Sequence, residues 1–223
     1  PKPGVLGQVA ARLARVPVIV NTVHGLYIHE RMPAWQRRFF VLLERIAGAC
    51  SHAVLSQNRE DVRTGLAMGI WRTDQVRLLG NGIDLARFDP ARIAPHESVA
   101  ARRSLGIPGS ARVVGFVGRL VREKGLPELF RAVHRVREQV PEVRLLVVGS
   151  PDSEKADRVD ERLAAECGVG DVVVFAGTRD DMPALYGCMD VFVLPSHREG
   201  FPRALMEATA MRIPCVATDV RGC

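Results

Sequence analysis

The chain has 223 residues, 47% of them hydrophobic and 25% charged, which is enough for one large domain or two modest ones with a real core. Its net charge of +6 is spread over 31 basic and 25 acidic residues, and only 5% of residues are aromatic, a composition that argues against nucleic acid as a partner. No apolar run approaches the ~18 residues of a membrane-spanning helix, and the five separated cysteines indicate reduced cytoplasmic thiols and not a zinc site.

The first ninety residues alternate helices and strands with an uneven rhythm. Hydrophobic spacing predicts helices over residues 5–13, 34–47 and 58–68 and strands over residues 16–21, 53–56 and 76–79. His24-Gly25 follows the first strand, where a histidine can be structural or catalytic. Asn81-Gly82 follows the last strand and indicates a turn, which we interpret as a connection near an interdomain hinge.

The helix predicted over residues 34–47 combines arginines with aromatic and aliphatic side chains. Such a helix can lie in the interface of an anionic membrane, with its cations toward the headgroups. It can equally bury its apolar stripe inside the protein, which is the commoner arrangement. The pattern leaves both arrangements open.

The second half of the chain is more regular. After a linker predicted over residues 88–95, short apolar strands are predicted over residues 112–117, 143–148, 172–176, 191–194 and 215–218. Helices alternate with them over residues 98–105, 129–140, 156–167, 181–186 and 202–211. Strands this short and apolar are expected where helices cover both faces of a parallel sheet, so the pattern predicts a doubly wound α/β unit.

Charged residues follow two of these strands. In an open α/β sheet, ligands bind beyond the carboxyl ends of the strands, so these loops are the candidate site. Residues 118–125 place Arg119 and Lys124 between two glycines, which would suit an anion such as a diphosphate, although a solvated basic loop would look the same. The absence of a Gly-x-Gly-x-x-Gly pattern and of a P-loop argues against NAD binding and ATP hydrolysis.

Two carboxylates, Glu199 and Glu207, follow the strand over residues 191–194. Ionised carboxylates only accept hydrogen bonds, so beside an anion site they should meet hydroxyl groups. A diphosphate flanked by two polyhydroxylated rings is a nucleotide sugar. The alternative is a helix that carries two solvated acids.

Four motifs together resemble those of the retaining family-4 glycosyltransferases of GT-B fold. They are residues 22–25, residues 81–88, residues 116–125 and residues 190–208, in the family's order along the chain. The resemblance implies two Rossmann-like doubly wound domains, both incomplete in this chain. Residues 1–90 would be the C-terminal part of the acceptor-side domain, and residues 91–223 the donor domain without its end. We therefore expect a fragment of a longer enzyme, inactive by itself.

The resemblance also implies roles for single residues. Glu199 would contact the donor sugar near the reacting carbon, and His24 would contact the transferred sugar, which makes these two the catalytic candidates. The implied donor-binding residues are Arg119 and Lys124 for the diphosphate, Glu207 for the ribose hydroxyls, Gly200 and Phe201 for backbone amides at the anion site, and Thr178 and Arg179 beside the base.

The implied reaction is transfer of a sugar from a nucleoside diphosphate to an acceptor with retention of configuration, in bacterial polysaccharide or glycolipid assembly. The acceptor would be a sugar or a lipid-linked molecule, at the inner face of the cell membrane, and neither a metal nor a cofactor is expected. A nucleotide-sugar epimerase of similar fold and a non-catalytic binding module are the alternatives. One departure concerns Arg212, which stands where the family often has a helix-ending glycine, so we expect a strained or a loosened turn there.

Overall fold

The computed structural model describes residues 2–28, 32–150 and 157–223. They form two compact α/β units, and each is built on a parallel sheet. The first unit runs to Asn81 and also includes Glu199–Phe201 and Gly222, whereas the second comprises Gly82–Arg198, Pro202–Arg221 and Cys223. Among the described helices, none is both long enough and apolar enough to cross a bilayer.

The first unit contains a three-stranded sheet in the order β1-β2-β3, with strands β1 (Val20–Val23), β2 (Ala53–Ser56) and β3 (Val76–Leu78). Its helices are α1 (Lys2–Leu13), α2 (Ala34–Cys50) and α3 (Arg59–Ala67). Asn58 caps α3 by accepting a hydrogen bond from the backbone N–H of Asp61 at 2.6 Å, which explains why the helix begins there. Its core is formed by Leu26, Ile28, Val54, Ile70, Trp71 and Val76.

The first strand lies further along the chain than residues 16–21, so this prediction was wrong. A parallel ladder forms only where a partner is in register, and β2 begins at Ala53, which pairs with Val20. The N–H of Ile19, just before β1, is bound by a side chain and not by the ladder, since it donates to Nδ1 of His52 at 2.9 Å. At its other end β1 stops at Val23, so His24 follows the strand directly.

The second unit contains a five-stranded parallel sheet in the order β6-β5-β4-β7-β8. The strands are β4 (Arg112–Val117), β5 (Val143–Val148), β6 (Val173–Gly177), β7 (Val191–Leu194) and β8 (Cys215–Ala217). The helices are α4 (Pro95–Ser104), α5 (Leu126–Arg137), α6 (Glu161–Glu166), α7 (Met182–Tyr186) and α8 (Arg203–Ala210). The sheet centre is fully buried at Val113, Phe116, Leu145, Leu146 and Phe192, which confirms the doubly wound prediction.

The strand order creates a switch point beside β4. The chain adds β5 and then β6 on one side of β4, and afterwards places β7 and β8 on the other side. In such sheets ligands bind outside the carboxyl ends of the strands, at the point where the strand order reverses. The loops that follow β4 and β7 are therefore the loops that border this place.

Several details of the second unit differ from prediction. Phe88 is only 5% exposed and belongs to the core, so the predicted linker over residues 88–95 lies inside this unit. The helix predicted over residues 156–167 begins only at Glu161, because Asp160 caps it through the Leu163 N–H. Val159 precedes the helix and its N–H donates to the Leu120 carbonyl at 2.8 Å, whereas residue 156 lies outside the described residues.

Candidate functional site

The loop after β4, residues 118–125, is a packed structure. Leu120 and Val121 are 2% and 0% exposed, and one turn of 3₁₀ helix, Arg122–Lys124, follows them. Lys124 is half-buried, while Arg119 is exposed. Two apolar side chains thus anchor the backbone of this loop in the core, while Arg119 at its start is accessible to solvent or to a ligand.

A glycine lets this loop approach the loop after β7. Gly125 ends the 3₁₀ turn with φ of 72°, in the left-handed region, and a Cβ there would overlap the carbonyl oxygen of Pro195. Next to this contact the His197 N–H donates to the Glu123 carbonyl at 3.0 Å. Backbone contacts thus join the two loops that border the switch point.

An ion pair and a contact between a histidine and a carboxylate lie at that junction. The Glu123 carboxylate lies 2.8 Å from the Arg198 guanidinium, and Nε2 of His197 lies 3.6 Å from the Glu128 carboxylate. Sequence reasoning did not single out these four residues. Their charges are visible in the sequence, but the pairing depends on the approach of two loops that are about seventy residues apart in the chain.

Glu207, the second predicted carboxylate, projects from α8 and is half-buried. The hydroxyl of Tyr186, at the end of α7, donates to its Oε2 at 2.9 Å. Burial raises the pKa of the Tyr186 phenol, and the negative charge of Glu207 raises it further, so the hydroxyl keeps its proton and remains a donor. Sequence reasoning missed Tyr186, which appears there only as an apolar position of a short helix.

Thr178 and Arg179, which the resemblance assigns to a loop beside the base, follow β6. Arg179 binds the Asp181 carboxylate with both branches of its guanidinium, at 2.8 and 2.6 Å, and these hydrogen bonds lower the pKa of Asp181. Asp181 stands directly before α7 but makes no capping hydrogen bond to it through its side chain, although an acidic residue at the start of the predicted helix over residues 181–186 is typical of a cap. The exposed Thr178 has no such side-chain bridge to α7 in the described structure.

The two catalytic candidates, Glu199 and His24, lie in the first unit. His24 is exposed directly after β1, and its carbonyl oxygen contacts the backbone of Gly200 so closely that a Cβ on Gly200 would overlap it. Nδ2 of Asn58 also donates to the Gly200 carbonyl, at 2.9 Å. The segment that carries Glu199 and Phe201 is therefore packed on the segment that carries His24.

A buried acid, Asp61, organises the contacts between the segments that carry His24 and Gly200. Asp61 is fully buried, and its Oδ2 accepts hydrogen bonds from the Leu26 N–H at 3.0 Å and from Nδ2 of Asn58 at 2.8 Å. One carboxylate thus orients both the loop after His24 and the amide that binds Gly200. Asn58 is recognisable in the sequence as a helix cap, but its bond to Gly200 is not.

The two groups can be summarised by unit. The second unit carries Arg119, Lys124, Thr178 and Arg179 on loops after its strands, and Glu207 on the helix that follows β7. The first unit carries His24 together with Glu199–Phe201. In the second unit, the cations and the Glu207 carboxylate, which accepts a hydrogen bond from a buried tyrosine, suit a phosphorylated polyol. In the first unit, an imidazole and a carboxylate lie on two segments that pack against each other.

The family model described as Glycosyl transferases group 1 matches residues 98–223 of the chain. A curated relative, the UDP-Gal:alpha-D-GlcNAc-diphosphoundecaprenol alpha-1,3-galactosyltransferase of Escherichia coli, is 29% identical over 99% of this chain and 56% of its own length. The D-inositol 3-phosphate glycosyltransferase of Salinispora arenicola is 40% identical over 66% of this chain and 35% of its own length. The chain spans about half the length, or less, of these curated relatives.

A solved structure extends the similarity to the fold. The crystal structure of Anabaena Alr3699/HepE in complex with UDP-glucose matches with a TM-score of 0.82 at 26% identity, over 99% of this chain and 58% of that one. The parallel sheets and their order thus match those of GT-B glycosyltransferases.

Proposed function

The chain belongs to the glycosyl transferases group 1 family, and from this premise we propose that the full-length protein transfers a sugar from a nucleoside diphosphate sugar to an acceptor with retention of anomeric configuration. The observation that carries the proposal is the cationic loop 118–125, packed against the loop after β7 at the sheet's switch point. A site of this kind favours a diphosphate that leaves with developing negative charge. The chain alone, about half the length of its relatives, is proposed to be inactive.

In this proposal the charge of the leaving diphosphate falls on protein groups. Arg119 and Lys124 supply positive charge, and the amides of Gly200 and Phe201 supply backbone donors. Because protein groups stabilise the charge of the leaving diphosphate in this proposal, dialysis of the full-length enzyme against EDTA should leave its rate unchanged. A rate that disappears on dialysis and returns with Mg²⁺ would contradict this part of the proposal.

Glu199 and His24 are assigned to the reacting sugar, and Glu207 to the ribose. The packing of the Glu199–Phe201 segment on the backbone of His24 supports the first assignment. A group near the reacting carbon meets charge that develops only in the transition state, so Glu199→Gln should lower kcat by about 10²–10³-fold. A ribose contact is equal in bound donor and transition state, so Glu207→Gln should mainly raise the donor KM. Both variants are measured by steady-state kinetics with varied donor. If Glu207→Gln lowered kcat while Glu199→Gln only raised the donor KM, the two assignments would have to be exchanged.

The decisive experiment offers the full-length protein a panel of nucleotide sugars and follows thermal stabilisation, then product formation with candidate acceptors. The anomeric configuration of the new bond, determined by NMR, tests retention. Conversion of the sugar without an acceptor would instead indicate an epimerase. Activity unchanged by Glu199→Ala would place the chemistry away from this segment, whereas nucleotide-sugar binding without any turnover would favour a non-catalytic module.

We also propose a lipid-linked acceptor, with the protein at the cytoplasmic membrane face. Helix α2 exposes an apolar stripe at helical spacing, formed by Trp35 (69% exposed), Phe39 (53%), Leu42 (56%) and Ile46 (43%). On the same helix the exposed Arg38 borders this stripe and the exposed Arg37 lies on the opposite face, and an apolar stripe with cations on the rest of the helix suits an anionic bilayer surface.

The membrane proposal is tested with the full-length protein and sedimented vesicles that contain anionic lipid. The double variant Trp35→Ser/Phe39→Ser should lose most of its binding, because each ring contributes apolar area to the interface. Val136→Ser, an exposed apolar residue of α5, is the matched control and should bind as wild type does. Equal binding by wild type and double variant would overturn the assignment.

A further inference from the structure

Tyr186 is fully buried, yet its hydroxyl faces the second predicted carboxylate of the donor site. The hydroxyl lies 2.9 Å from Oε2 of Glu207 and 3.1 Å from the carbonyl oxygen of Ala204, both on α8. A phenol has one hydrogen to donate, and an ionised carboxylate is the stronger acceptor. The hydroxyl therefore restrains one oxygen of Glu207 and leaves the remaining acceptor capacity of the carboxylate for other donors.

The ring of Tyr186 is locked from two sides. Phe88 meets it edge-on at 5.9 Å between centroids with 76° between planes, and Phe192 of β7 packs at 6.1 Å. Ring pairs at such distances and angles are favourable beyond their buried area. The phenol thus has a fixed direction before any ligand arrives.

The position of Phe88 is set by the motif over residues 81–88, to which the proposed reaction assigns no task. Oδ1 of Asp84 accepts the N–H groups of Ala86 and Arg87 at 2.9 and 3.1 Å, which closes a turn just before Phe88. The same turn directs Arg87 to the Asp180 carbonyl at 2.6 Å, on the loop that follows Thr178 and Arg179. One turn therefore supports both Tyr186 and the loop predicted beside the base.

We propose that Tyr186 is a positioning residue that orients Glu207 toward the ribose hydroxyls of the nucleotide, and that the Asp84 turn supports it through Phe88. This inference rests on the proposed function, because it assumes that Glu207 meets a ribose. It assigns the motif over residues 81–88 a task within the second unit. The preference for a ribonucleotide over one without ribose hydroxyls is then partly a property of Tyr186.

The test measures that preference in the full-length protein. UDP, GDP and ADP and their 2′,3′-dideoxy counterparts are titrated by calorimetry into wild type, Tyr186→Phe and Glu207→Gln. For the nucleotide that binds, wild type should prefer the ribo form by roughly tenfold or more, the effect of losing hydrogen bonds to a charged group. Tyr186→Phe should reduce that preference about three- to tenfold and leave the affinity for the dideoxy form unchanged. Phe88→Leu should cause a smaller loss of the same preference.

A general structural defect would weaken both forms equally, so an unchanged ribo-to-dideoxy ratio in folded Tyr186→Phe overturns the inference. Added to Glu207→Gln, the Tyr186→Phe change should cost nothing more, since its effect passes through Glu207. Additive losses in the double variant would likewise contradict a positioning role. Tyr27→Phe, the same chemical change in the first unit, is the matched control. If wild type binds none of the three nucleotides, the proposed function itself fails, which is a distinct outcome.

Discussion

The loop after β4 and the carboxylate of Glu207 are assigned to the same donor, but the protein holds them by different means. The loop is held by its backbone, through the approach of Gly125 to Pro195 and the bond from the His197 N–H to the Glu123 carbonyl. Glu207 is held by a side chain, the hydroxyl of Tyr186. The first arrangement should tolerate most side-chain changes and fail when a backbone contact is obstructed. The second should respond to the loss of a single hydroxyl.

The largest effect is expected where the backbone contact itself is obstructed. Gly125→Ala places a Cβ against the Pro195 carbonyl and forces a left-handed φ on alanine, which together should destabilise the full-length protein by about 2–4 kcal/mol. Urea unfolding measures the loss, and calorimetry should show nucleoside diphosphate affinity reduced by more than ~100-fold, as expected when a whole loop moves.

Gly109→Ala is the matched control, because Gly109 has ordinary φ and a Cβ there would meet open space. It should alter the free energy of unfolding by no more than about 0.5 kcal/mol. If Gly125→Ala were as stable as this control and bound nucleotide normally, the junction of the two loops would not be a backbone contact of the native protein.

A smaller effect is expected when the backbone is kept and a ligand-binding charge is removed. In the role proposed for it, Lys124 makes a charge-assisted contact to the diphosphate, so Lys124→Ala should weaken nucleoside diphosphate binding by roughly ten- to a hundredfold in calorimetry. The stability of the protein should hardly change. Arg135→Ala removes an exposed cation from α5 and controls for net charge. Unchanged affinity in folded Lys124→Ala would remove Lys124 from the site.

The Glu123–Arg198 pair tests whether side chains matter to the same loop. Glu123→Gln removes the charge from a partly exposed pair and leaves the Glu123 carbonyl bond to His197 in place. Pairs of this exposure are worth little, so nucleotide binding should weaken only about two- to fivefold. Glu166→Gln, an exposed glutamate of α6, is the control. A loss as large as that of Gly125→Ala would mean that the loop is held by its side chains after all.

The smallest effect is a gain in stability at the end of α8. The Arg212 N–H donates to the Thr209 carbonyl, and the Ile213 N–H donates to the Ala208 carbonyl. This kind of helix ending requires a residue in the left-handed region, and Arg212 occupies it with φ of 59°. Of the two expected outcomes, the turn is therefore the strained one. Arg212→Gly relieves the strain and should stabilise the full-length protein by about 0.5–1 kcal/mol, measured by urea unfolding, without changing nucleotide affinity. Arg212→Ala keeps the strain and should bring no gain, so equal stability of both variants would refute the explanation.

Much of the second unit could be predicted because its strands are buried on both faces. Residues 112–117, 143–148 and 191–194 are short and largely apolar, with Arg112 and Arg144 as their only charged members, and their predicted bounds are those of β4, β5 and β7. The start of β1 could not be predicted this way, since apolar residues begin at Val16 while the ladder begins only where β2 offers a partner. Val20 is even 54% exposed, so burial gives no signal there.

The α/β class, the succession of strands and loops along the chain, and the charged residues that follow β4 and β7 can all be derived from the amino-acid sequence, because these are local patterns with the period of each element. Which groups meet depends on the folded structure. Tyr186 and Glu207 are 21 positions apart, and Asn58 and Gly200 are 142 apart. The strand order, and with it the switch point at β4, is likewise a property of sheet assembly. Contacts of this kind depend on the packing of whole elements, which no local period records.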